Sequence, residues 1–177
     1  MRRMRLRFAL FFLFAPLFSA CSIISSHIPT TADFVPRTGR AYVTIDLSEQ
    51  RATLYRSGMA IAGSRVSTGK GGYPTPAGNF RVTQKNKDHR SSIYGDYVKH
   101  GRIVKANVDA RKDRRPPGAR FLGAPMPYFM RFNGAIGMHA GNVPYYPASH
   151  GCVRLPPHLA RSFYRHVSVG TPVRVRR

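Results

Sequence analysis

Two cysteines and seven histidines occur in this 177-residue chain, and one stretch sets the second cysteine close to two of the histidines. It begins Ile136-Gly137-Met138-His139-Ala140-Gly141-Asn142 and ends Ala148-Ser149-His150-Gly151-Cys152-Val153-Arg154-Leu155. A cysteine reacts as thiolate, so it needs a neighbouring base or a positive field. His139 and His150 are the available bases. Gly151 lacks a Cβ and leaves room beside the sulfur, and backbone N–H groups of such a loop can meet a developing oxyanion. The alternative is a small core cysteine with incidental histidines, a common fate of free thiols. Three features weigh against it: the two histidines lie within thirteen residues of Cys152, the segment between is rich in Gly and Pro, and no Asp or Glu follows Asp113 while ten arginines do. That uniformly positive field predicts a thiolate rather than a thiol. It also removes any Cys-His-Asp triad built from this segment alone. The group orienting His139 is then a backbone carbonyl, a hydroxyl such as Ser149, an amide such as Asn142, or an acid from before residue 114. No CxxC or HExxH is present, so neither a metal nor another cofactor is expected.

The elements that must position these residues read mainly as strands. From Ala41, Val43, Ile45 and Leu47 alternate with Tyr42, Thr44 and Asp46, and residues 52–55 and 59–68 flank a Ser57-Gly58 turn as in a hairpin. Residues 80–83, 128–132, 135–139 and 173–175 are further short strands. Residues 84–120 are polar, basic and broken by Pro116-Pro117-Gly118, so a long loop excursion is expected, of the kind that often covers a site. One helix is predicted, from Pro157 to Val167, with Leu159, Phe163 and Val167 on one face. The sum is a mainly β domain over 41–177, sandwich or barrel-like, with one helix near the C-terminus.

The N-terminus reads as an address. Arg2 to Arg7 are basic, residues 8–18 are apolar apart from Pro16 and too short to span a bilayer as a helix, and Ser19 and Ala20 are small. Residues 1–20 are therefore expected to be a signal peptide. Phe18-Ser19-Ala20-Cys21 resembles the lipobox of bacterial lipoproteins, which implies that Cys21 is lipidated and becomes the mature N-terminus. Ser22 in place of an acid resembles lipoproteins sorted to the outer membrane. Residues 21–40, rich in Ser, Thr and Pro, read as a flexible tether. With Cys21 acylated, Cys152 has no intramolecular partner in an oxidising compartment, as befits a reactive thiol. Of the 29 basic residues, 25 lie beyond residue 20, where they face all 7 acidic ones. Such a field attracts polyanions, and export directs it to membrane or wall polymers rather than nucleic acid.

His139 followed by Ser149-His150-Gly151-Cys152-Val153-Arg154 resembles the active-site signature of the L,D-transpeptidase catalytic domain: a histidine, a gap, then Ser/Thr-His-Gly-Cys, a hydrophobic residue and Arg or Asn. Ser67-Thr68-Gly69-Lys70 followed by Pro74-Thr75-Pro76-Ala77-Gly78-Asn79-Phe80 is similar to a second family segment, in the family's order. The gap between His139 and Cys152 is toward the short end of the family's range. The resemblance implies a cysteine acyltransferase of peptidoglycan, acylated by carbapenems. Cys152 is then the nucleophile and His139 its base, while Ser149, His150 and Gly151 shape the oxyanion side and Arg154 meets a substrate carboxylate. The implied donor is a tetrapeptide stem that loses its terminal D-alanine. The acceptor is a stem amine, a lysine of a wall-anchored lipoprotein, or water, the last giving an L,D-carboxypeptidase or amidase. A noncatalytic basic lipoprotein binding anionic envelope polymer is the alternative of a different class; it predicts that Cys152→Ala is silent and that binding falls steeply with salt.

Overall fold

The computed structural model describes residues 39–144 and 146–177. The signal peptide, Cys21 and nearly all of the tether lie outside the described residues. The elements are β1 (Ala41–Asp46), β2 (Arg51–Arg56), β3 (Met59–Arg65), β4 (Gly78–Arg81), β5 (Gln84–Lys99), β6 (Arg102–Asp109), β7 (Arg120–Asn133), β8 (Ile136–Ala140), β9 (Val153–Leu155), α1 (Pro157–His166) and β10 (Pro172–Arg176). They form two five-stranded sheets, ordered β3-β2-β1-β10-β4 and β6-β5-β7-β8-β9. The mainly β fold with one C-terminal helix is as expected.

Alternation decides what each strand buries. Val43, Ile45, Leu54, Val173 and Val175 project from the first sheet into one core with Met130, Phe132, Met138, Val153 and Leu155 of the second. The helix closes this core through Ala160 and Phe163, both fully buried. Leu159, placed on the apolar face by spacing, is only half-buried; Ala160 occupies that position instead. Pro157 sits in the first turn, where its missing N–H costs nothing. At the other end Lys85 of β5 donates its Nζ to the carbonyls of Tyr164 and Val167, at 2.6 and 2.5 Å, which answers the exposed carbonyl end of the helix and ties it to the second sheet.

Residues 84–120 differ from the sequence expectation. They hold two long strands joined by a turn at His100–Gly101, with irregular chain over 110–119. The first half of β5 exposes one face and half-buries polar residues such as Lys85, His89 and Ser91 on the other, and most of β6 is exposed, so no apolar alternation marks them; the β6–β5–β7 ladder sustains them instead. A small satellite core of Tyr97, Val108 and Ala119, with Phe121 against it, supports their far end. The β5–β7 ladder breaks between Arg90 and Gly95. There Ser91 Oγ accepts the N–H groups of Ile93 and Tyr94, and the bulge carries Tyr94, which stacks on His150 in the loop before β9.

Candidate active site

The second sheet has one face in the core and one in the open, and the alternation of three strands loads the open face with chemistry. Met130 and Phe132 of β7, Met138 and Ala140 of β8, and Val153 and Leu155 of β9 point inward. Phe129, Arg131, His139 and Arg154 take the opposite face. The strands β8 and β9 run parallel, with His139 opposite Arg154 and Met138 opposite Val153. Cys152 stands one residue before this ladder, so it is the diagonal neighbour of His139. A parallel pair needs a long crossover, and residues 141–152 supply it. Both side chains line one groove of about 420 Å3, walled also by Tyr94, Met126, Arg131 and Asn142. A wider concavity of about 900 Å3 lies beside β1, β4 and β10; arginines line it but no cysteine.

Two backbone devices fix the loop that carries the sulfur. Ser149 Oγ donates to the Cys152 carbonyl and accepts the Gly151 N–H at 3.1 Å. Thr75 Oγ1, buried, donates to the Gly151 carbonyl at 2.7 Å and accepts the Gly69 N–H at 2.9 Å. The Ser67–Lys70 segment runs alongside, exchanging bonds with Ser149 and Arg154. Gly69 is required there, because a Cβ would lie 2.1 Å from the Tyr73 carbonyl oxygen. Gln50 holds the segment from behind: its side chain donates to Thr68 Oγ1 and accepts the Thr68 N–H. The Thr-Pro-x-Gly segment thus buttresses the cysteine loop.

His139 is 7% exposed. Its Nδ1 lies 2.8 Å from the Ala140 carbonyl oxygen, which can only accept, so Nδ1 carries the proton and Nε2 is left as the basic nitrogen. Of the groups open at the level of sequence, a backbone carbonyl orients the imidazole. Burial pushes His139 down to about 4; the Ala140 bond works against that, while Arg154 and His89 add to it. Burial also raises the Cys152 thiol above its ordinary value, against the lowering effect of the Gly137 N–H and of Arg154 and Arg131. The thiolate expected from the arginine-rich field is therefore corrected: desolvation outweighs the charges, and the resting pair is neutral thiol and neutral imidazole.

The remaining expected residues fall as follows. His150 projects from the loop and stacks on Tyr94, ring centroids 4.3 Å apart, with Tyr73 edge-on at 4.6 Å. Gly151 has φ +110°, and a Cβ there would lie 3.3 Å from the groove-lining Ile136, so backbone conformation and space at the groove both favour glycine. Arg154 reaches along Gly141, in the groove wall beyond His139. Tyr146 is exposed, its carbonyl accepting Ser67 Oγ; Tyr145 lies outside the described residues. His89 is half-buried in the groove wall and stacks on Phe129 at 4.2 Å. Sequence reasoning also passed over Arg131 and Tyr94; an arginine between buried Met130 and Phe132 was the available signal for the first, and nothing marked the second.

The fold and site define a β-sandwich whose outward sheet face carries a cysteine–histidine pair in an open groove. A family model for the L,D-transpeptidase catalytic domain (YkuD) matches residues 40–175, and the chain belongs to that family. No sequence among the curated proteins compared with it matches. Among solved structures, an L,D-transpeptidase from Stackebrandtia nassauensis is 25% identical with a TM-score of 0.58, over 80% of this chain and 57% of that one. A cysteine-to-serine mutant of the Enterococcus faecium L,D-transpeptidase is 26% identical with a TM-score of 0.55, over 83% of this chain and 53% of that one. The chain thus spans less than two thirds of the length of these relatives.

Proposed function

We propose that this protein is a peptidoglycan L,D-transpeptidase that works through a thioester on Cys152. The observation that carries the reading is the placement of the sulfur and the buried imidazole on one open sheet face, joined by a loop that Thr75 and Ser149 hold in shape by hydrogen bonds.

The neutral pair sets the order of events. As Cys152 Sγ attacks the carbonyl of the third residue of a tetrapeptide stem, His139 Nε2 takes the thiol proton. Proton removal coupled to attack spares the cost of a free thiolate in a desolvated site. The Gly151 N–H is already bonded to Ser149 Oγ, so the Cys152 N–H is the loop donor for the oxyanion. Collapse breaks the C–N bond, and the imidazolium protonates the departing D-alanine amine. The acceptor amine then gives its proton to Nε2 and attacks the thioester, and the C–S bond breaks to return the thiol. An L,D-transpeptidase of 22% identity has been solved in complex with imipenem, and carbapenem acylation of Cys152 belongs to this proposal.

Export by residues 1–20, a lipid on Cys21, anchoring at the outer membrane and a tether over 21–40 complete the proposal. They rest on the residue pattern of the N-terminus.

The test is incubation with a disaccharide-tetrapeptide and mass spectrometry of the products. Dimer formed with loss of alanine is expected, and Cys152→Ala abolishes it. Tripeptide alone would assign water as the acceptor, and no cysteine-dependent product would overturn the reading.

A further inference from the structure

The groove wall carries a charge imbalance that Cys152 and His139 do not use. His89, Arg111, Arg131, His150 and Arg154 all face it, and no Asp or Glu does. The charge of Arg111 is answered by Asp109, whose carboxylate it holds through Nε at 2.9 Å and Nη2 at 2.7 Å. Arg131 has no counterpart: among the described residues neither it nor Arg154 forms a salt bridge. The guanidinium of Arg131 lies over the Phe129 ring, 5.6 Å from its centroid, and donates through Nη1 to the Gly134 carbonyl at 3.4 Å. Its Nε is buried and meets no acceptor among the described residues. A buried charged donor without an acceptor is costly, and an anion beside this groove-lining guanidinium would offset that cost.

Its position is specific. Gly134 adjoins Ala135, whose carbonyl oxygen lies 3.9 Å from Cys152 Sγ, so the guanidinium stands one peptide away from the sulfur's neighbour. His89 stacks on the same Phe129 ring with an interplanar angle of 15°, which packs the ring that the guanidinium rests on. Arg154 occupies the other wall, beyond His139.

We propose that Arg131 is a carboxylate-binding residue of the groove and selects an anionic donor. The substrate assignment rests on the function proposed above; the anion site itself does not. A tetrapeptide stem offers the carboxylate of its leaving residue and the carboxylate on the side chain of its third residue, and a guanidinium fork fits either.

The test uses Arg131→Gln and Arg131→Lys. The first measurement is kcat/KM for Cys152 acylation by tetrapeptide stems, intact or with one carboxylate at a time converted to the carboxamide. Loss of one charge-assisted contact lowers kcat/KM on the intact stem about 10- to 100-fold in Arg131→Gln, with partial recovery in Arg131→Lys. Amidation of the carboxylate that Arg131 holds abolishes the difference between parent and variant, which identifies the source. Equal loss on every stem overturns the proposal. Should Arg131→Gln fail to fold, Arg131→Lys against parent carries the same comparison. Should the parent turn over no stem, the proposed function fails, and alkylation of Cys152 decides the anion site: the rate with iodoacetate relative to iodoacetamide falls several-fold without the guanidinium, and an unchanged ratio overturns it.

Discussion

Acidification tests the burial of His139. An imidazole held at about 4 in the folded chain titrates near 6.5 once unfolded. Between those values the unfolded chain binds a proton at this position and the folded chain does not. Stability is therefore intact above pH 6.5, declines as pH falls through the window, and levels off below about 4. The full window is worth roughly 3 kcal/mol and the step from pH 7 to pH 4.5 roughly 2 kcal/mol. His89 and His150 are also held below their ordinary values by burial, so the parent slope is not due to His139 alone. His139→Asn isolates it, because the amide keeps a donor toward the Ala140 carbonyl and does not titrate. Urea unfolding of parent and variant at the two pH values gives the difference directly. A parent that loses roughly 2 kcal/mol more than the variant upholds the burial argument; parallel losses refute it and with it the neutral-imidazole mechanism.

Four further outcomes follow from the same geometry. Alkylation of Cys152 by iodoacetamide rises about tenfold per pH unit from pH 6 to 9, because the thiol is raised rather than lowered; a plateau at neutral pH would point to a preformed ion pair. Thr75→Val keeps shape but strands the Gly69 N–H and the Gly151 carbonyl, costing about 2–4 kcal/mol in chemical unfolding and lowering kcat more than KM rises; unchanged kcat removes Thr75 as a buttress. Lys85→Met leaves the last helical carbonyls unanswered and costs about 1–3 kcal/mol in urea unfolding; an unchanged midpoint removes the cap. Gly137→Ala drives a methyl to within 2.5 Å of the Phe129 ring, so a variant as stable and active as the parent would refute the packing beneath the groove.

The residues of the site were legible because their chemistry is written in type and spacing: a thiol, an imidazole and a glycine that has to turn. The sandwich was legible wherever one strand face is apolar, as in β1 and around Met130. The long β5 and β6 were not, since β5 half-buries polar residues such as Lys85, His89 and Ser91 and β6 is mostly exposed, so neither carries an apolar alternation. The state of the thiol was misread for a different reason. Counting arginines gives the sign of a field, but only packing tells how much water has been removed from the sulfur. Arg131, His89 and Tyr94 stayed hidden because strand pairing across distant sequence, and one bulge, bring them to the groove.

Cys152 and His139 are set by the register of two paired strands rather than by the chain joining them. Shifting β9 by one residue would turn its sulfur inward and present Val153 to solvent. Lengthening the connection at residues 141–148 would leave imidazole and sulfur where they are. The thirteen-residue separation that looked short as a motif is thus a dimension of the crossover, free to vary while the reacting atoms keep their places.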